Sequence, residues 1–98
     1  MTEVLFTHIT DELQEGYIQC RSYQNGNLAI QLMSAEEPLA VLSIPVDGVS
    51  LGKDEFVAKT YSENEGLLEQ FVEAGLFSDT GRTSRVEHVT CPIYKFNG

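Results

Sequence analysis

Residues 25–46 read NGNLAIQLMSAEEPLAVLSIPV, and this stretch decides the fold class. Asn25-Gly26 supplies the two positive-φ residues of a type I′ turn, the strongest short hairpin signal. NLAIQLMS (27–34) then alternates: Leu28, Ile30 and Leu32 share one face, and Ala29, Gln31 and Met33 share the other. This is the period of a strand. Ala35-Glu36-Glu37-Pro38 makes the next turn. LAVLSIPV (39–46) is apolar at nearly every position, which fits a strand buried on both faces near a sheet centre. Pro45 has no N–H to give a ladder, so pairing should weaken there.

Toward the N-terminus, YIQCRSY (17–23) is the other arm of the hairpin and VLFTHI (4–9) is a further strand. DELQEG (11–16) reads as a turn, or one helical turn, ending at Gly16. Toward the C-terminus, Asp47-Gly48 and Leu51-Gly52 bracket a loop, and EFVAKTY (55–61) is a fifth strand.

TYSENEGLLEQFVEAG (60–75) changes period. Ser62 is placed to cap a helix, and Glu65, three residues on, completes a capping box. Leu67, Leu68, Phe71 and Val72 form the core-facing stripe. Gly75 fits the left-handed C′ position, with Leu76 packing back as C″. The spacing predicts one main helix over about 62–75. SDTGRTSR (78–85) reads as a polar loop and VEHVTCPIYKF (86–96) as a closing strand, with Pro92 marking an edge or a bulge. The order is β-β-β-β-β-α-β. It predicts a single α+β domain over 1–98: an antiparallel sheet of five to six strands with one helix on one face.

The charge is uneven. Fifteen acids oppose six bases, for a net charge of −9; residues 1–75 hold thirteen of the acids and three of the bases. Such a field repels nucleic acid and anionic lipid and attracts basic surfaces. The ordinary use of surplus carboxylates is solubility. No basic leader and no apolar run of membrane length is seen, so the expectation is a cytoplasmic protein off the membrane, with Cys20 and Cys91 reduced.

Catalytic and metal patterns are not found. His8, His88, Cys20 and Cys91 are the only soft ligands. His88 and Cys91, three apart on a strand, point to opposite faces. No CxxC or HxxxH spacing is present, so no metal and no cofactor is expected. No nucleophile elbow, phosphate loop or dinucleotide fingerprint occurs, and the chain reads as non-enzymatic. Thr80-Gly81-Arg82-Thr83-Ser84-Arg85 has the composition of an anion cradle, but its arginines equally suit nearby glutamates.

Glu65, Glu69 and Glu73 fall at a spacing of four, with no base beside them on a helix. Like charges at that spacing cost a few tenths of a kcal/mol each, and Glu73 also meets the unfavourable end of the helix dipole. Glu63 suits the helix start. With the turn acids Glu36 and Glu37, these residues are the candidate partner-binding set. The partner they predict is a basic protein surface of the kind that binds nucleic acid. A second reading, from another class, is a small-ligand or assembly module, with a homodimer joined through an open strand.

The pieces Asn25-Gly26-Asn27-Leu28-Ala29-Ile30-Gln31-Leu32, YSENEG (61–66), Ala74-Gly75, Thr80-Gly81-Arg82-Thr83 and Pro92-Ile93 occur in one order. In this the chain resembles a family of small acidic proteins of unknown function carried on bacterial plasmids, integrative elements and prophages. The resemblance spans roughly residues 23 to 96 and brings no site residues. It implies a context in which small acidic proteins block host defence by imitating DNA or masking a nucleic-acid-binding surface. Asn64 and Arg82, within these motifs, are also suited to serving the fold.

Overall fold

The computed structural model describes residues 2–8, 12–35 and 37–97. The class is α+β: two antiparallel four-stranded sheets with one short α-helix. The first sheet has the order β1-β2-β3-β4, formed by Thr2–Phe6, Gln14–Ser22, Leu28–Ser34 and Glu37–Val41. The second has the order β5-β6-β8-β7, formed by Ser43–Ile44, Glu55–Ala58, Val89–Phe96 and Phe77–Val86.

The hairpin at Asn25-Gly26 forms in a different turn from the one the dipeptide suggests. Only Gly26 has a positive φ, 89°. Gly26 N–H donates to Tyr23 C=O at 2.9 Å, and Tyr23 N–H to Asn27 C=O at 2.8 Å. The loop is therefore Gln24-Asn25-Gly26, a tight turn followed by one left-handed residue. Asn25 is held out of the left-handed region by its side chain. Its Oδ1 accepts from Asn27 N–H, and its Nδ2 donates to Asp47 Oδ1 at 3.0 Å.

The apolar stretch 39–46 does not form a central strand. Residues 37–41 are the edge strand β4, where Leu39 is 37% and Val41 40% exposed. At Leu42 the chain changes sheets. Leu42 N–H donates to Ile30 C=O of β3, and its own C=O accepts from Lys59 N–H (both 2.8 Å). Ser43, buried, takes the Ile30 N–H on its Oγ at 2.8 Å. The continuous apolar pattern thus reflects a strand that crosses between two sheets around one core. β5 stops at Ile44, immediately before Pro45, as a residue without N–H requires.

The segment 78–85 is strand, not loop. β7 pairs along β8 with a register shift between Asp79 and Thr83, so Thr80-Gly81-Arg82 bulges out near Pro92. β8 is central, and its Pro92 lies opposite Thr83 beside the bulge; its missing N–H costs no ladder bond because β6 pairs with β8 only as far as the Val57–Ile93 rung. Thr80 Oγ1 closes the bulge on Ile93 C=O at 2.7 Å.

One core receives both sheets and the helix: Phe6, Ile18, Ile30, Leu32, Leu42, Phe56, Phe77 and Tyr94 meet Leu67, Leu68 and Phe71. The predicted helical stripe is the buried one, with Val72 packed at its margin. Phe71 contacts Phe77 with ring centroids 5.7 Å apart and Phe6 at 6.4 Å. A smaller cluster of Val57, Cys91 and Ile93 is covered by Val46, Val49 and Leu51 of the loop after β5.

Candidate functional site

The helix predicted over 62–75 is two elements, a 3-10 turn at Ser62–Asn64 and α1 at Leu68–Glu73. No side chain caps either start, and the Ser62–Glu65 capping box does not form. Glu65 leaves the helical region (φ −57°, ψ 125°) and Gly66 follows at φ 79°. Asn64 explains the break. It is fully buried and donates from Nδ2 to Val41 C=O at 2.7 Å and to Lys59 C=O at 3.0 Å. Drawing this amide inward to two carbonyls of the sheet junction leaves too few residues for a continuous helix before Leu67 must be buried. Its Oδ1 has no partner among the described residues.

The C-terminal end forms as predicted. Gly75, at φ 81°, donates to Val72 C=O at 3.0 Å, and Leu76 N–H to Phe71 C=O at 2.9 Å. These are the two bonds of a Schellman motif.

The predicted acidic residues are therefore dispersed. Glu63 is answered by Lys59, with Nζ to Oε1 at 2.6 Å. That bond, helped by the Ser62 side chain and local backbone, holds the Glu63 carboxyl down at about 2. Glu65 lies in the link before α1, so the three-residue stripe is reduced to Glu69 and Glu73 on α1. All three are exposed, and among the described residues none forms an ion pair. Glu69 is close enough to Tyr94 to add to the rise that burial imposes on its phenol. Glu37 is exposed at the head of β4 opposite Ser34, the far end of that strand from the Asn64 anchor at Val41. Four steps along the strand separate them, roughly 13 Å. Glu36 lies outside the described residues.

Arg82 is an ion-pair partner. Its guanidinium binds Glu55 and donates to Ser50 C=O at 3.1 Å. Glu55 also accepts from Gly52 N–H at 2.6 Å, and that bond, then Arg82, holds its carboxyl below the usual range. Arg85 donates to Glu87 C=O at 3.2 Å. These bonds tie the first base of the TGRTSR segment to the 50–55 loop and the second to its own turn. Cys91 is buried, but Cys20 is exposed, because β1 ends at the rung Thr2–Ile18 and does not reach it. His88 sits in the exposed turn between β7 and β8. Among the described residues, no three His, Cys, Asp or Glu side chains stand together as a metal ion would need, and no helix is long and apolar enough to cross a membrane.

Sequence reasoning missed a second acidic area, at the first sheet's β1 edge. Glu3 lies opposite Tyr17 and Leu5 opposite Glu15, so these side chains share one face. The alternation of TEVLF was the available signal. Compared with protein-family models, curated proteins and solved structures, the chain matches none.

Proposed function

We propose that the protein is a non-enzymatic acidic interaction domain of a bacterial mobile element, acting in the cytoplasm by occupying a basic, nucleic-acid-binding surface of a host-defence protein. The observation that carries this reading is the group of exposed carboxylates, Glu65, Glu69 and Glu73, which make no ion pair among the described residues in a chain of net charge −9. Glu37 adds to the acidic charge at a distance, Glu63 is bonded to Lys59, and Glu36 adds its charge to the sequence only. The resemblance of the YSENEG, AG and TGRT pieces to small acidic proteins of mobile elements supports the context. Charges at such a rim govern association rate and salt dependence. The test is capture from bacterial lysate at low salt by the wild type and by the Glu65→Gln, Glu69→Gln, Glu73→Gln variant. Proteins held by the wild type alone, and released as salt rises, support the reading. Equal capture by both, or capture indifferent to salt, counts against it.

A second reading, a homodimer through an open strand, is favoured by β4, an edge strand with Leu39 and Val41 exposed. Light scattering over a range of concentrations separates the two readings.

A further inference from the structure

Among the described residues, β1 is an edge strand that pairs with β2 alone. An edge presents a row of unpaired N–H and C=O groups unless something covers it. Just beyond β1, a side chain stands in for a strand. Gln70 of α1 accepts from Thr7 N–H on Oε1 at 2.9 Å and donates from Nε2 to Thr7 C=O at 2.8 Å. Both backbone groups of Thr7 thus turn away from β2. The alternation of an antiparallel ladder turns those of Leu5 and Glu3 to the same side. Gln70 makes the first pair of bonds of a ladder whose following rungs are open.

Two grooves flank that edge. One of about 530 Å³ lies on the outer face, where Glu3, Glu15, Tyr17 and the 58% exposed Leu5 meet. The other, about 400 Å³, runs between β1 and α1, where Val4, Phe71, Ala74 and Leu76 line it and Glu3 and Leu5 border it as they do the first. The first holds two carboxylates, Glu3 and Glu15; the second is mainly apolar with Glu3 at its border, and the two meet along the same strand. Arg21, the base on the outer face of β2, lies past the last rung, Thr2–Ile18.

We propose that β1 docks an extended segment of a basic partner, which adds a fifth strand to the first sheet. Successive side chains of an extended segment alternate between faces. Lysine or arginine side chains then fall beside Glu3 and Glu15, and small apolar ones enter the groove against α1. The backbone ladder supplies affinity and the two grooves supply the side-chain preference. A second copy of this chain fits worse, because β1 against β1 brings the Glu3 of each chain to the acidic groove of the other. The site uses none of the helix glutamates and goes beyond the function proposed above.

The probe is a fluorescein-labelled heptapeptide alternating lysine and valine, measured by polarisation and by amide hydrogen exchange on the full chain. Saturable binding with new protection at the Glu3 and Leu5 amides is expected. Binding should fall at least tenfold for a peptide N-methylated at alternate residues and for a glutamate–valine peptide. It should fall similarly for Leu5→Pro, which removes one outward N–H where an edge strand accepts proline. The Glu69→Gln, Glu73→Gln variant should bind like the wild type, so failure here is distinct from failure of the acidic-helix reading. Equal binding of the N-methylated peptide overturns the proposal, since charge alone would then hold it. So does unchanged exchange at Glu3 and Leu5, or their protection without peptide in a dimer. If Leu5→Pro does not fold, the N-methylated peptide decides the question on the wild-type chain.

Discussion

The segment from Lys59 to Leu76 has two halves that use their polar groups differently. In the first, Glu63 is bonded to Lys59, and Asn64 spans the carbonyls of Val41 and Lys59. These bonds fix where the chain leaves the sheet junction, and the Asn64 Oδ1 is left without a partner among the described residues. In the second, Leu67, Leu68 and Phe71 fix the helix by burial, and Glu65, Glu69 and Glu73 stay in solvent without an ion pair among the described residues. Carboxylates within reach of a base have become part of the local fold. Those without one remain exposed to solvent.

The sharpest way to break this contrast is at Asn64. Asn64→Asp places carboxylate oxygens against two carbonyl oxygens in a dry site and should cost about 3 kcal/mol or more, the scale of an unpaired buried charge. Asn64→Ala leaves both carbonyls without a donor and should cost about 2 kcal/mol, because it also removes the unpartnered Oδ1. Urea unfolding of the two variants checks the order; an Asp variant as stable as wild type would show the site to be wet.

Gly75 tests the second half. Its φ of 81° is left-handed, so Gly75→Ala should cost about 1 kcal/mol in the same assay, with the Cβ itself meeting open space. A loss much above this would mean that α1 depends on its stop more than on its buried stripe.

Lowering the pH probes the Lys59–Glu63 bond of the first half. Glu63 is held at about 2 in the folded protein, below its ordinary 4.5. Its contribution is therefore complete above pH 4.5 and is lost as pH falls from there through about 2. Lys59→Met should raise the Glu63 titration, followed by carboxyl NMR, part of the way toward 4.5 and weaken that part of the acid dependence. A titration left at about 2 would assign the shift to the local backbone and Ser62.

The smallest effect has the opposite sign. Glu69→Gln with Glu73→Gln relieves like-charge repulsion and the dipole contact at Glu73, for a gain of about 0.5 kcal/mol. Thermal melts check it, and a drop of several degrees would mean that the pair is structural. If the proposed function holds, the same variant should lose capture of nucleic-acid-binding proteins while keeping its affinity for the lysine–valine peptide at β1.

Part of this architecture was legible from short range. The 28–32 alternation, the core stripe of α1 and the Gly75 stop are set by side-chain period and turn chemistry within a few residues, and each is found where the sequence put it. The acidic stripe was legible only in part, because its spacing assumed a helix that the anchoring of Asn64 interrupts before Glu65.

By itself, then, the sequence determined the α+β class, the hairpin at Gly26, the buried face of α1 and the net charge of −9. The tertiary structure alone decided that the apolar run 39–46 crosses between two sheets at Leu42, that TGRT is a bulge on β7, and that Arg82 belongs to Glu55. The reason is range. Periodicity and capping act along the chain, whereas Asn64 meets Val41 across 23 residues and Arg82 meets Glu55 across 27. A continuous apolar stretch reads the same whether a strand is buried in one sheet or leaves it for another, and only its hydrogen-bond partners tell the two apart.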